Sequence, residues 1–354
     1  MFAYWFLFAY FAVGVLLGSH DETTQRSRPR PMLALGALLI AVLVGFRYEV
    51  GADWQAYQRM FAFAGLANFD RILALKDPGY QILNWLAQQF GAGIWMVNLV
   101  CGSLLAWGLS RFARVQPEPW LAVLIAIPYL VVVVAMGYSR QGVAIGLLLA
   151  GLAAISRGAS PLRFVLYVAA AALFHKTAVI ALLLVVFASE KNRFLNTTAL
   201  VAAFVLMYDI FLDDSVDTFM NTYIDAEYSS QGAAIRIAMT VLPAALFLLR
   251  PNKFGFLPRE KKVWINFSIA TFVLLAMLFL LPSSTAVDRL TLYIIPLQIV
   301  ILSRFPIASG SRTVVRILVV VYCFAIQFAW LNYASHANEW IPYRLYSFGA
   351  GGGN

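Results

Sequence analysis

Long apolar runs alternate with short polar breaks along the whole chain. Crossing a bilayer as an α-helix takes about 20 apolar residues, within a range of ~17–25. Runs of that order fall at 2–18, 32–46, 94–112, 119–137, 141–156, 195–212, 235–250, 263–282, 290–303 and 313–331. They predict one all-α, polytopic membrane domain over residues 1–354, with about ten spans. The first run, MFAYWFLFAYFAVGVLLG, has neither a basic leader nor an A-x-A site and reads as a span, not a cleaved signal.

Two stretches depart from this rhythm. Residues 164–187 are apolar but interrupted in the middle by His175-Lys176-Thr177. Each half is about eleven residues, or ~16 Å as helix, roughly half a bilayer. This predicts a broken or re-entrant pair of half-helices with its apex at His175-Lys176, because such a break is tolerated only where it is buried or lines a wet cavity. Between 52 and 90, WQAYQRMFAFAG and YQILNWLAQQF mix polar and apolar residues at helical spacing. They predict amphipathic helices on the membrane surface, the second starting at Asp77-Pro78-Gly79.

Composition strengthens the membrane assignment: 62% of the 354 residues are hydrophobic and 12% charged. Soluble domains average about 45–50% and about 25%. A net charge of +9 first suggests a nucleic-acid partner, but its distribution argues otherwise. The basic residues concentrate on loops holding Arg26, Arg28 and Arg30, Arg111 and Arg114, Arg157 and Arg163, Lys191 and Arg193, Arg250 to Lys262, and Arg304 to Arg316. The positive-inside rule puts those loops in the cytoplasm and both termini on the outer side, with no nucleic acid implied. Cys101 and Cys323 lie inside apolar runs and read as packing residues.

The opposite face collects the unusual polar groups. Ionisable residues within apolar runs are costly and mark functional sites by default. Arg140 and His175 are the strongest of these, and either Asp53 or His175 is the candidate general base. Arg47, Lys176, Arg236 and Arg289 add cations at span ends or in the notch, and Tyr138, Tyr293, Trp340 and Tyr343 add aromatics. For each arginine, an interfacial anchor is the plain alternative. Guanidinium groups grip phosphate oxygens bidentately, aromatic faces stack on sugars, and a carboxylate or imidazole can take a hydroxyl proton. Together they suit a pyrophosphate-linked oligosaccharide on a lipid. No Walker loop, dinucleotide fingerprint or zinc spacing occurs, so no cofactor or metal is expected; Asp213 to Asp217 reads as a solvated acidic loop.

Taken in order, FRYEVGADWQAY, DPGYQILN, SRQGVAIG and LFHKTAVI, followed by YSSQGAAIR, DRLTLY and NEWIPY, resemble the EpsG family over about residues 46–343. That resemblance implies a Wzy-like exopolysaccharide polymerase of the bacterial inner membrane. It would join undecaprenyl-pyrophosphate-linked repeat units on the periplasmic side. Flippase and chain-length-regulating proteins are the implied partners. The resemblance assigns no catalytic residue, so the roles above rest on the residues themselves. A transporter or flippase of a lipid-linked sugar, and a ligase-type glycosyltransferase, remain the alternative readings.

Overall fold

A computed structural model describes residues 1–18, 31–185, 193–211, 232–280 and 284–347, and these form an all-helical bundle. Among them, five helices are long and apolar enough to cross a membrane, and six shorter apolar helices accompany them. The acidic loop at 213–217 and the basic loop at 26–30 lie outside the described residues.

The chain runs through α1 (Phe2–Leu17) and α2 (Pro31–Gly45) before reaching three surface helices, α3 (Trp54–Leu66), α4 (Phe69–Leu73) and α5 (Pro78–Gln89). It continues through α6 (Ile94–Ala113), α7 (Pro119–Ala126), α8 (Ser139–Ser156) and α9 (Pro161–Ala172). After a break come α10 (Ala181–Val185), α11 (Arg193–Phe211), α12 (Ala233–Leu249) and α13 (Pro258–Leu280). The short α14 (Ser284–Thr291), α15 (Ile295–Ser309) and α16 (Arg312–Tyr333) complete the bundle.

Helices α8 and α15 form the centre. The α8 span is 89% buried, whereas α16 at the rim buries only 28% of its span and turns the rest outward. Small residues allow the tight central packing: a Cβ on Gly108 of α6 would lie 1.9 Å from the Gly146 carbonyl oxygen of α8. Close backbone approach of this kind is how membrane helices gain packing energy where lipid offers no hydrophobic drive.

Helix α7 does not simply end. It widens into π-helical turns over Ile127–Ala135, all of them buried. Pro128 has no N–H to donate, which frees a carbonyl and loosens the ladder at that point. Further along these turns, the Val132 carbonyl accepts the Trp340 indole N–H at 2.7 Å, tying the C-terminal segment to the core.

The stretch 164–187 is split. Helix α9 stops at Ala172, His175 is extended, and a 3-10 turn over Lys176–Ile180 leads into α10. Such backbone needs partners in apolar surroundings, and it finds some at the break: the Leu173 carbonyl accepts from Gly79 N–H at 2.8 Å, and Lys176 N–H donates to Asp77 Oδ1 at 3.2 Å.

The two ends of the bundle differ in character. At one end lie α3 to α5, the break at His175, and the segment Trp340–Leu345, whose Trp340 carbonyl accepts from Tyr4 Oη at 2.6 Å. At the other end the basic loops meet. Arg304 donates to Gln116 Oε1 at 3.0 Å and to the Phe254 and Gly255 carbonyls at 3.3 Å. Arg316 pairs with Glu118, and Arg259 donates to the Ala159 carbonyl at 2.9 Å.

Candidate active site

A cavity of about 1100 Å³ opens at the first of these ends, between the start of α8, the break after α9, α12, α14 and the end of α16. Its polar wall carries Asp53, Arg140, His175, Arg236, Asp288 and Arg289. Tyr57, Tyr138, Trp330 and Trp340 supply aromatic surface. Residues more than 230 positions apart in sequence therefore share one space.

The charged side chains come from separate elements, except Asp288 and Arg289, which are neighbours on α14. Arg140 stands in the first turn of α8 and pairs with Asp77 Oδ2 at 2.6 Å. Its guanidinium also lies 5.9 Å from the centre of the Tyr57 ring. Asp77 precedes α5 with φ 57, a left-handed conformation uncommon outside glycine. It does not cap its own helix; its carboxylate bridges Arg140 on α8 and the Lys176 N–H at the break. Burial pushes the Asp77 carboxyl upward in pKa, and Arg140 and Lys176 oppose that shift. Across the cavity Arg236 of α12 pairs with Asp288 of α14. Arg289 follows directly, and its carbonyl accepts from Gln141 Nε2 at 3.1 Å, linking α14 to α8.

Asp53 ends the loop before α3 and makes no cap bond to that helix, so its carboxylate is not spent on local structure. Burial raises its pKa, while Arg140 and then Arg289 offset part of the rise. Gly51 sets that loop: at φ +103, a Cβ there would come 2.3 Å from the Met136 carbonyl oxygen. His175 is oriented by a chain of hydroxyls. Thr177 Oγ1 donates to Tyr293 Oη at 3.1 Å and lies 2.8 Å from His175 Nδ1. The relay engages only Nδ1, so Nε2 is the ring nitrogen left outside it.

Of the residues expected from sequence, Asp53, Tyr138, Arg140, His175, Arg236, Arg289 and Trp340 line the cavity. Arg47, Lys176, Tyr293 and Tyr343 do not. Arg47 is fully buried and donates to the Val44 carbonyl, to Asn98 Oδ1 at 3.0 Å and to Ser139 Oγ at 2.6 Å, so it braces α2, α6 and α8 against one another. Tyr343 is an anchor whose hydroxyl donates to the Leu43 carbonyl at 2.8 Å. Tyr293 serves the His175 relay from behind, and the Lys176 backbone serves Asp77. Asp77 and Asp288 were not expected as partners of the arginines. The available signal was physical: a half-buried guanidinium needs a nearby carboxylate. Among the described residues, no group of three His, Cys, Asp or Glu side chains could hold a metal ion.

The fold and site define a helical membrane protein with a cation-lined cavity at one end of its bundle. The EpsG family pattern matches residues 32–345, nearly the whole chain, and the protein belongs to that family of Wzy-like polymerases. This membership suggests an exopolysaccharide polymerase role. No curated protein and no solved structure matches the chain.

Proposed function

We propose that the protein joins oligosaccharide units carried on polyprenyl pyrophosphate, and that the reaction takes place in this cavity. The observation that carries the proposal is the convergence of Arg140, Arg236 and Arg289 with Asp53 and His175 around one volume of about 1100 Å³. Three guanidinium groups from α8, α12 and α14 border that volume, and their planar forks suit a pyrophosphate, while the aromatic surface suits sugar rings.

In the proposed step, a hydroxyl of the acceptor unit attacks the anomeric carbon of the donor chain. The new glycosidic C–O bond forms as the bond to pyrophosphate breaks, and polyprenyl pyrophosphate leaves with the electron pair. Asp53 takes the hydroxyl proton, its basicity increased by burial. His175 Nε2 accepts a hydrogen bond from the acceptor and orients it. Arg289, with Arg140 and Arg236, stabilises the charge gathering on the leaving group. The aspartates paired with Arg140 and Arg236 hold those two guanidinium forks in place before substrate arrives.

The cavity end would face the periplasm of the bacterial inner membrane. Support comes from Arg259, Arg304 and Arg316, on the helix ends at the far side of the bundle, the distribution expected of a cytoplasmic face. The test is direct: purified protein in vesicles receives synthetic polyprenyl-pyrophosphate oligosaccharide, and products are separated by size. A ladder of multiples on one side of the bilayer is expected. Labelled substrate crossing the bilayer without lengthening would replace this reading with a transporter.

A further inference from the structure

The cavity has a second, apolar wall that the proposed chemistry does not use. Tyr322, Ala325, Ile326, Ala329 and Tyr333 fall at helical i, i+3, i+4, i+7 and i+11 spacing, which places them along one side of α16. Facing them, Ile235 and Met239 extend from α12 on the same side as Arg236. Helices α12 and α16 both pack on α15 and scarcely touch each other, so a trough remains between them. Ala325 and Ala329 are exposed, and their small side chains keep the trough open. From Tyr333 at the rim to Tyr322 it runs about 16 Å at 1.5 Å per residue. There Gln298 Nε2 donates to Tyr322 Oη at 3.2 Å and closes the lower end.

We propose that the trough between α12 and α16 holds the first isoprene units of the polyprenyl carrier, and that substrate reaches the cavity sideways through it. This deepens the reading above and rests on it. A long hydrocarbon tail and an anionic head need adjoining apolar and cationic surfaces. Arg236 and Arg289 stand at the head of the trough, where its apolar walls begin. A soluble phosphate would have no use for that apolar length. An ordinary phospholipid would use the outer face of α16, where Val321 is 57% exposed, equally well.

Two experiments test it. In the first, Ala329→Trp fills the trough from an exposed position, and coupling is compared between long polyprenyl and short farnesyl pyrophosphate donors. The expected result is a loss of about tenfold or more with the long donor, little change with the short one, and no discrimination by Val321→Trp. Equal loss on both donors, or no loss on either, overturns the groove. The second experiment is independent of catalysis: wild-type protein in vesicles is photolabelled with diazirine-bearing polyprenyl phosphate. Adducts should fall on α12 and α16 and be displaced by unlabelled polyprenyl phosphate. Adducts scattered around the bundle, or displaced equally by phospholipid, overturn the proposal. Labelling confined to the trough, in a protein that makes no ladder, keeps the lipid site and rejects the coupling reaction.

Discussion

Both ends of the bundle are rich in arginine, yet the two sets stand in opposite surroundings. At the end away from the cavity, Arg304 is 6% exposed and its donors are taken by Gln116 and two loop carbonyls. Its guanidinium also stacks 4.1 Å from the centre of the Phe256 ring. Those contacts close loops against one another. At the cavity end, Arg140 is paired with Asp77 but retains 26% side-chain exposure and faces open volume. A fixed cation facing open space is arranged to meet a ligand, whereas a fixed cation facing backbone carbonyls is already satisfied. The identity of the residue is the same at both ends; what it faces decides its role.

This contrast is most sharply broken at Asp53. Asp53→Asn should reduce coupling by about 10²–10⁴-fold, measured as ladder formation per folded molecule. A base must be deprotonated to act, and burial raises the Asp53 pKa. Wild-type activity should therefore fall with decreasing pH at a higher value than an exposed aspartate would give. That acidic limb should vanish from the residual activity of the Asn variant. A limb unchanged by the substitution assigns the base elsewhere.

Arg140→Lys keeps the charge and loses the planar fork, so coupling should drop by up to about 10²-fold. Near wild-type rates would show that the Arg140 fork does not stabilise the leaving group. Asp77→Ala tests stability at the same site. It leaves a half-buried guanidinium without its carboxylate, and the loss should approach about 3 kcal/mol, the lower end for breaking a buried pair because Arg140 is 26% exposed. Thermal unfolding in detergent reads it, and an unchanged midpoint would mean the pair contributes nothing. The smallest functional effect is expected at the far end. Arg304→Ala should cost about 1.5–3 kcal/mol of stability while leaving the rate per folded molecule unaltered.

Much of the fold was legible because bilayer crossing imposes a length and a composition that short polar loops cannot disguise. The split at His175-Lys176 was legible for a related reason, since two adjacent ionisable residues cannot sit in the middle of an apolar helix without cause. The π-helical turns after α7 were not, because IPYLVVVVA reads as an ordinary apolar run. Within the site, Arg140 and His175 stood out by their surroundings in sequence. Arg47 looked similar, but its partners Asn98 and Ser139 come from two other helices, and no local pattern reveals them. Asp77 was hidden differently. Asp-Pro-Gly resembles a helix start, yet its left-handed backbone lets the carboxylate serve α8 and the break after α9 instead.

Under the proposed function, cations facing the cavity act on the substrate while those at the far end only hold the fold. Arg289→Ala and Arg304→Ala, purified and reconstituted side by side at matched folded amounts, test it most directly. With lipid-pyrophosphate oligosaccharide supplied, the Arg304 variant should give a ladder and the Arg289 variant a rate lowered about 10²–10³-fold. A full ladder from Arg289→Ala, or equal loss in both, would contradict it.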